Sequence, residues 1–152
     1  MSEEFMFSRL DSPEDQICAR LIINEARAKT TGLPSHALSI EEFEFQIEGE
    51  LILGARRFSQ PNELMGFISV WQPESFIHHL YIAQTHRGQG LGGALINEVR
   101  KQLGTPLHLK CGRDNTRAQM FYETSGWRRG SVEVGPDGRY INYSLDEAEN
   151  SD

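Results

Sequence analysis

Positive charge is in short supply in this chain. Fifteen Lys and Arg stand against 22 Asp and Glu among 152 residues, a formal net charge of −7. Nucleic acid is thereby excluded as a general partner, because phosphate binding needs an excess of cations. Cysteine is nearly absent: Cys18 and Cys111 are far apart and in no metal or redox spacing. Two buried thiols in a reducing cytosol are the expectation. No apolar run approaches the roughly 20 residues that a bilayer span requires. The N-terminus opens Met1-Ser2-Glu3-Glu4, with acids where a targeting peptide would be basic. A cytoplasmic protein with no membrane partner is expected. There is no repeat and no low-complexity tract, and a single domain over residues 1–152 is expected, with a loose acidic tail from about 146.

Hydrophobic residues make up 38% and aromatics 9%, enough for a packed core. Phe5 to Leu10 reads as a strand. Ser12-Pro13-Glu14-Asp15 starts a helix: a hydroxyl cap, a first-turn proline, and acids at the positive end of the dipole. Ile17, Leu21 and Ala26, with Cys18 and Ile22 beside them, suggest its apolar stripe, to about Lys29. Thr31-Gly32-Leu33-Pro34 breaks it. Ser39 and Glu42 form a capping-box pattern for a second helix faced by Ile40, Phe43 and Ile47.

The period then changes. Leu51 to Phe58, Leu64 to Trp71 and Phe76 to Ala83 read as three strands joined by short turns, an antiparallel meander. From Gly90 a helix carries Leu91, Leu95, Val99 and Leu103 at spacing four, and Gly104 and Pro106 stop it. Leu107 to Cys111 is a strand and Asn115 to Thr124 a helix. Trp127 to Val134 and Tyr140 to Ser144 close the chain as two strands. The order β-α-α-β-β-β-α-β-α-β-β describes a mixed α/β fold.

The centre of interest is Arg87-Gly88-Gln89-Gly90-Leu91-Gly92-Gly93, after a strand and at a helix start. Glycines let the backbone turn tightly and present N–H groups, and a helix N-terminus adds unpaired donors. Together they suit a pyrophosphate, with Arg87 at the rim. No Lys-Ser or Lys-Thr follows, so this is not a P-loop. Gly88, Gly90 and Gly93 satisfy G-x-G-x-x-G, and Asp114 lies near the distance a dinucleotide fold would ask for. However, a meander precedes the cluster and fewer than 60 residues follow Gly93, too few for the crossovers of that sheet.

These residues resemble the GNAT superfamily of acetyl-CoA-dependent N-acetyltransferases. Its motif Q/R-x-x-G-x-G/A is matched by Arg87 to Gly92. A second motif, N-x-x-A-x-x-F-Y-x-x-x-G-F/W, is matched by Asn115, Ala118, Phe121, Tyr122, Gly126 and Trp127. The order of elements is also similar to the family's. The resemblance implies acetyl-CoA (coenzyme A) as cofactor and an amine as acceptor. It implies that Leu80, Tyr81 and Ile82 offer backbone groups to the pantetheine arm, and that Arg87, Gly88, Gln89, Gly90, Leu91, Gly92 and Gly93 bind the pyrophosphate. Asn115 would contact the cofactor where two strands splay, and Tyr122 would stand near the sulfur as general acid.

The resemblance further implies a Glu or His base nine residues before the motif's first residue, a position held by His78. An imidazole suits that task near neutral pH. The carboxylate that some members carry five residues before the Asn is Lys110 here, leaving Glu74 as an alternative base through water. Strand alternation puts Phe76, His78, Leu80 and Ile82 on one face and Ile77, His79 and Tyr81 on the other. Phe76, His78 and Glu74 are thus the candidate acceptor contacts. His78 and His79 should point apart, so no metal is expected, and His79 reads as a hydrogen-bonded strand histidine. Glu41, Glu42, Glu44, Glu48 and Glu50 cluster around the second helix, either as a solvated face or as an attraction for a cationic amine. A non-catalytic acyl-CoA sensor is the alternative reading, and the sequence fits a monomer or a homodimer equally.

Overall fold

The computed structural model describes residues 5–30, 33–34 and 36–146. Its strands are β1 (Phe5–Arg9), β2 (Leu51–Arg57), β3 (Gly66–Trp71), β4 (Phe76–Ile82), β5 (Leu107–Gly112), β6 (Arg128–Gly135) and β7 (Gly138–Leu145). Helices α1 (Pro13–Lys29) and α2 (Ile40–Ile47) follow β1; α3 (Leu91–Leu103) follows β4, and α4 (Thr116–Thr124) follows β5. All seven strands form one sheet in the order β1-β2-β3-β4-β5-β7-β6. It is antiparallel except where β4 meets β5. This is the mixed α/β architecture and element order expected from the sequence.

The helix starts form as their local chemistry dictates. Ser12 Oγ accepts from the Asp15 N–H at 3.1 Å, and Ser39 and Glu42 make both halves of a capping box. Asn24 ties the segment before α2 to α1: its amide oxygen accepts from the Leu38 N–H at 2.7 Å, and its amide nitrogen donates to the Leu38 carbonyl at 3.1 Å. The expected break at Thr31-Gly32 and the tail beyond Asp146 lie outside the described residues. Asp146 itself pairs with Arg128 at 2.6 Å.

Two apolar layers sandwich the sheet. On one face, Leu91, Leu95, Ile96 and Val99 of α3 pack on Leu51, Leu53, Ile68, Val70 and Ile77. On the other, Ala19, Ile22 and Ile23 of α1 and Phe43 and Ile47 of α2 cover Ile52 and Phe67.

The α1 stripe differs from the expected one. Ala19, Ile22, Ile23 and Ala26 are buried, whereas Ile17 and Leu21 are 40% and 56% exposed. Positions 17 and 21 lie about 200° around the helix from Ala19, and Ile22 and Ile23 face the sheet with the two small alanines. Cys18 shares the outer side and is exposed, so only Cys111 is the buried thiol anticipated. Ile40, at the mouth of α2, is 40% exposed and leaves its core face to Phe43 and Ile47.

Candidate active site

The site is opened by a failure of strand pairing. β4 and β5 are paired only at Phe76–His108 and Ile77–Leu109. Beyond Ile77 they separate, and Leu80, Tyr81 and Ile82 line a cleft of about 530 Å³. Their backbone groups on the β5 side have no ladder partner there, and such groups need a hydrogen-bonding ligand or water. Leu109 to Gly112 and α4 form the opposite wall, and the start of α3 closes one end.

At that end the glycines do what their position demands. Gly88 and Gly90 have φ of 81° and 78°, and a Cβ at either, or at Gly93, would meet nothing within 4 Å. The left-handed backbone and open space together form a concavity at the N-terminus of α3, whose cap supplies no side-chain hydrogen bond. Arg87, Gly88, Gly90, Leu91 and Gly92 all line the cleft. A pyrophosphate-bearing cofactor fits that combination of free N–H donors, adjacent cation and space. Gln89 and Gly93 are not lining residues. Gln89 Oε1 instead accepts from Arg57 Nη2.

Asn115 lines the cleft while capping α4, its side chain accepting from the Ala118 N–H at 3.3 Å. Tyr122 is held by three rings, Phe121, Trp127 and Tyr143, at centroid distances of 5.2, 5.6 and 5.5 Å. Burial pushes its phenol well above the ordinary tyrosine range, with Cys111, Tyr81 and Tyr143 adding to the effect. It therefore keeps its proton at neutral pH and has one to donate. Cys111, also in the wall, is pushed up to about 11 by burial and then by Glu123, so its thiol is neutral.

β4 does not alternate as expected. Ser69 pairs with His79 but Val70 pairs with Ile77, so His78 is the extra residue of a β-bulge. Ile77 consequently joins Leu80 and Ile82 on the α3 face, the face assigned above to His78. His78 turns to the opposite side and stacks on His79, with ring centroids 4.1 Å apart and 23° between planes. The expectation that the two imidazoles point apart is thus corrected: the bulge inserts one residue and flips the phase of the strand.

His79 is buried among Phe43, Phe67 and Tyr81. Its Nδ1 lies 2.7 Å from Ser69 Oγ and its Nε2 3.0 Å from Gln46 Oε1. Burial lowers its pKa to about 3, with the neighbouring His78 and Arg27 contributing in the same direction, so it is neutral. His78 lines the cleft and places Nδ1 2.8 Å from Glu50 Oε2.

Among the described residues, Glu50, His78 and His79 are the one trio whose ligand atoms, all within 4.8 Å of one another, could gather around an ion. Both ring nitrogens of His79 are already engaged, which removes the third ligand. Glu74, in a single 3-10 turn over Gln72–Glu74, and Phe76, whose ring lies 5.8 Å from Lys110 Nζ, are not among the lining residues.

Sequence reasoning did not anticipate Glu50 at the site. It ends a run of acids, and nothing local distinguishes the one that turns inward. The acids themselves divide: Glu42 closes the capping box, Glu50 meets His78, and Glu41, Glu44 and Glu48 remain exposed.

Similar proteins share the fold that carries this cleft. The profile of the acetyltransferase (GNAT) family matches residues 20–127. No curated protein sequence matches the chain. Among solved structures, an N-acetyltransferase from Staphylococcus aureus Mu50 is similar in fold, with a TM-score of 0.70 and 18% identity, over 94% of this chain and 98% of that one. A ribosomal-protein-alanine N-acetyltransferase from Brucella melitensis gives 0.67 and 17%, over 93% and 99%. A protein from Salmonella typhimurium solved with its cofactor acetyl-CoA gives 0.66 and 15%, over 97% and 96%. At these identities the likeness establishes the fold, and the family profile, spanning both glycine and Asn-to-Trp motifs, establishes descent. The chain belongs to the GNAT family of acetyltransferases, enzymes that draw their acetyl group from acetyl-CoA.

Proposed function

We propose that the protein transfers an acetyl group to an amine, with His78 as base and Tyr122 as acid. The observation that carries this reading is that these two residues, distant in sequence, line one cleft headed by the glycine-lined start of α3. When bound, acetyl-CoA supplies an acetyl carbon activated as a thioester, open to attack by an amine nitrogen.

The chain's own groups account for the rest. N–H groups of Gly88, Gly90, Leu91 and Gly92 bind the anionic end of the cofactor, aided by Arg87. Leu80, Tyr81 and Ile82 orient its arm through the backbone groups that the strand separation leaves unpaired. His78 removes a proton from the incoming ammonium, leaving the lone pair on nitrogen for attack. Tyr122, kept protonated by burial, donates its proton to the leaving sulfur and is restored by the second proton of the amine. One proton per turnover passes to solvent.

The acceptor in this reading carries net positive charge. The chain's −7 and the exposed Glu41, Glu44 and Glu48 support this by favouring encounter with cations.

The test is acetyl-CoA-dependent thiol release against a panel of cationic and neutral amines, repeated with His78→Ala over a pH range. The variant should lose most rate below about pH 8, where aliphatic amines are largely protonated, and recover above it. An unchanged pH–rate profile would remove His78 from the base role. Salt should depress kcat/KM for the preferred acceptor by screening the attraction. Preference for an acidic acceptor, with rates indifferent to salt, would refute the charge assignment.

A further inference from the structure

Glu50 has no role in the reading above, yet its carboxylate is the most deeply placed acid near the cleft. Its side chain is 5% exposed, against 35% for His78. Oε2 lies 2.8 Å from His78 Nδ1, and Oε1 is buried with no hydrogen-bond partner. Among the described residues no Lys or Arg lies within ion-pair distance of it. A buried carboxylate without a hydrogen-bond donor is costly, and the group positioned to supply one is the His78 ring.

We propose that Glu50 is a positioning residue for His78, and this rests on the reading of His78 as base. A carboxylate can only accept, so the proton of a neutral His78 sits on Nδ1 and is donated to Glu50. That fixes the other nitrogen, Nε2, as the lone-pair bearer, and Nε2 has no partner among the described residues. Held this way, the ring offers the cleft a proton acceptor in a single tautomer and orientation.

The proton step balances within the pair. An N–H bond of the acceptor ammonium breaks with its electrons staying on the amine, and an Nε2–H bond forms from the imidazole lone pair. Glu50 remains a carboxylate throughout, and the imidazolium later returns its proton to solvent. The other titratable group against the ring, His79, is neutral and hydrogen-bonded at both nitrogens, so it adds no opposing charge. Gln46 and Ser69, which hold His79, are uncharged. The β-bulge serves the same end, since the phase shift brings His78 to the side where the link between α2 and β2 places Glu50.

The direct test is the tautomer of His78, read by long-range 1H–15N correlation on the free protein above neutral pH. Wild type should show the Nδ1–H form. Glu50→Ala should shift His78 towards the Nε2–H form that free imidazole side chains prefer, and Glu50→Gln, which keeps an acceptor oxygen, should largely preserve Nδ1–H. In turnover, Glu50→Ala should lower kcat by roughly 10-fold or more below pH 8, leave KM for acetyl-CoA unchanged, and be partly rescued by Gln. A wild-type spectrum showing Nε2–H overturns the proposal, whatever the variants do and even if Glu50→Ala does not fold. An impaired His78→Ala beside a wild-type-like Glu50→Ala overturns the positioning role alone. A His78→Ala with unchanged pH–rate profile removes the base assignment itself, and the two failures are thereby separable.

Discussion

His78 and His79 are neighbours in sequence on one strand, yet their rings lie face to face at 4.1 Å. The contact exists because the register step at Ser69 and Val70 makes His78 an extra residue. It puts a cleft-lining imidazole on top of a buried one, and the two differ in surroundings. His78 faces the cleft, while His79 anchors β4 to β3 and α2 through Ser69 and Gln46.

His79 should make the fold acid-sensitive. Its folded-state pKa is lowered to about 3 from 6.5, so below pH 6.5 the unfolded chain binds a proton that the folded chain refuses. Stability is therefore fully present above about pH 6.5 and is lost as pH falls, by about 1.4 kcal/mol per unit until about pH 3. Between pH 6.5 and 5 this amounts to about 2 kcal/mol. Urea midpoints across that interval should show the slope in wild type and a flatter one in His79→Phe. Equal slopes would mean that His79 takes up protons in the native state as freely as in the unfolded one.

Gly90→Asp should abolish cofactor binding. It places a Cβ and a negative charge in the open space at the start of α3, on a backbone with φ of 78°. The left-handed conformation costs a non-glycine residue about 1 kcal/mol, so the variant should still fold. Coenzyme A should raise the melting temperature of wild type by mass action and leave Gly90→Asp unmoved. A wild-type shift with NAD and none with coenzyme A would contradict the cofactor assignment.

Tyr122→Phe should spare structure and cofactor affinity. The ring keeps its contacts with Phe121, Trp127 and Tyr143, and the hydroxyl has no hydrogen-bond partner among the described residues to lose. Single-turnover transfer with cofactor saturating should slow by roughly 10²-fold, the range of general acid effects. A rate within about twofold of wild type would leave Tyr122 as a packing residue and make water the acid.

Asn24→Ala should loosen the approach to α2. The Leu38 N–H loses its 2.7 Å partner in a place where Leu38 is 1% exposed. The Leu38 carbonyl keeps Arg20 at 3.2 Å. One buried donor left unpaired costs about 1–3 kcal/mol. Chemical denaturation should show this loss, and hydrogen exchange at Leu38 should speed up. No change in either would mean that the segment is held by packing alone.

The sequence by itself determined the elements and the glycine-lined start of α3 that heads the cleft. Caps such as Ser12 and Ser39, the glycines from Gly88 onward and the spacing of Asn115, Tyr122 and Trp127 act within a few residues of where they are written. Their physics is local hydrogen bonding and backbone freedom, which one stretch of chain reveals. Local composition did not decide which side of α1 faces inward, because large apolar residues stand on both sides: Ile22 and Ile23 are buried, Ile17 and Leu21 exposed. Nor did it decide the face of His78, since a bulge is a mismatch between two strands and belongs to neither sequence alone. Glu50 shows the same limit. Its run of acids looks like surface, and only the tertiary fold buries its carboxylate, at the entry to β2, beside an imidazole from 28 residues downstream.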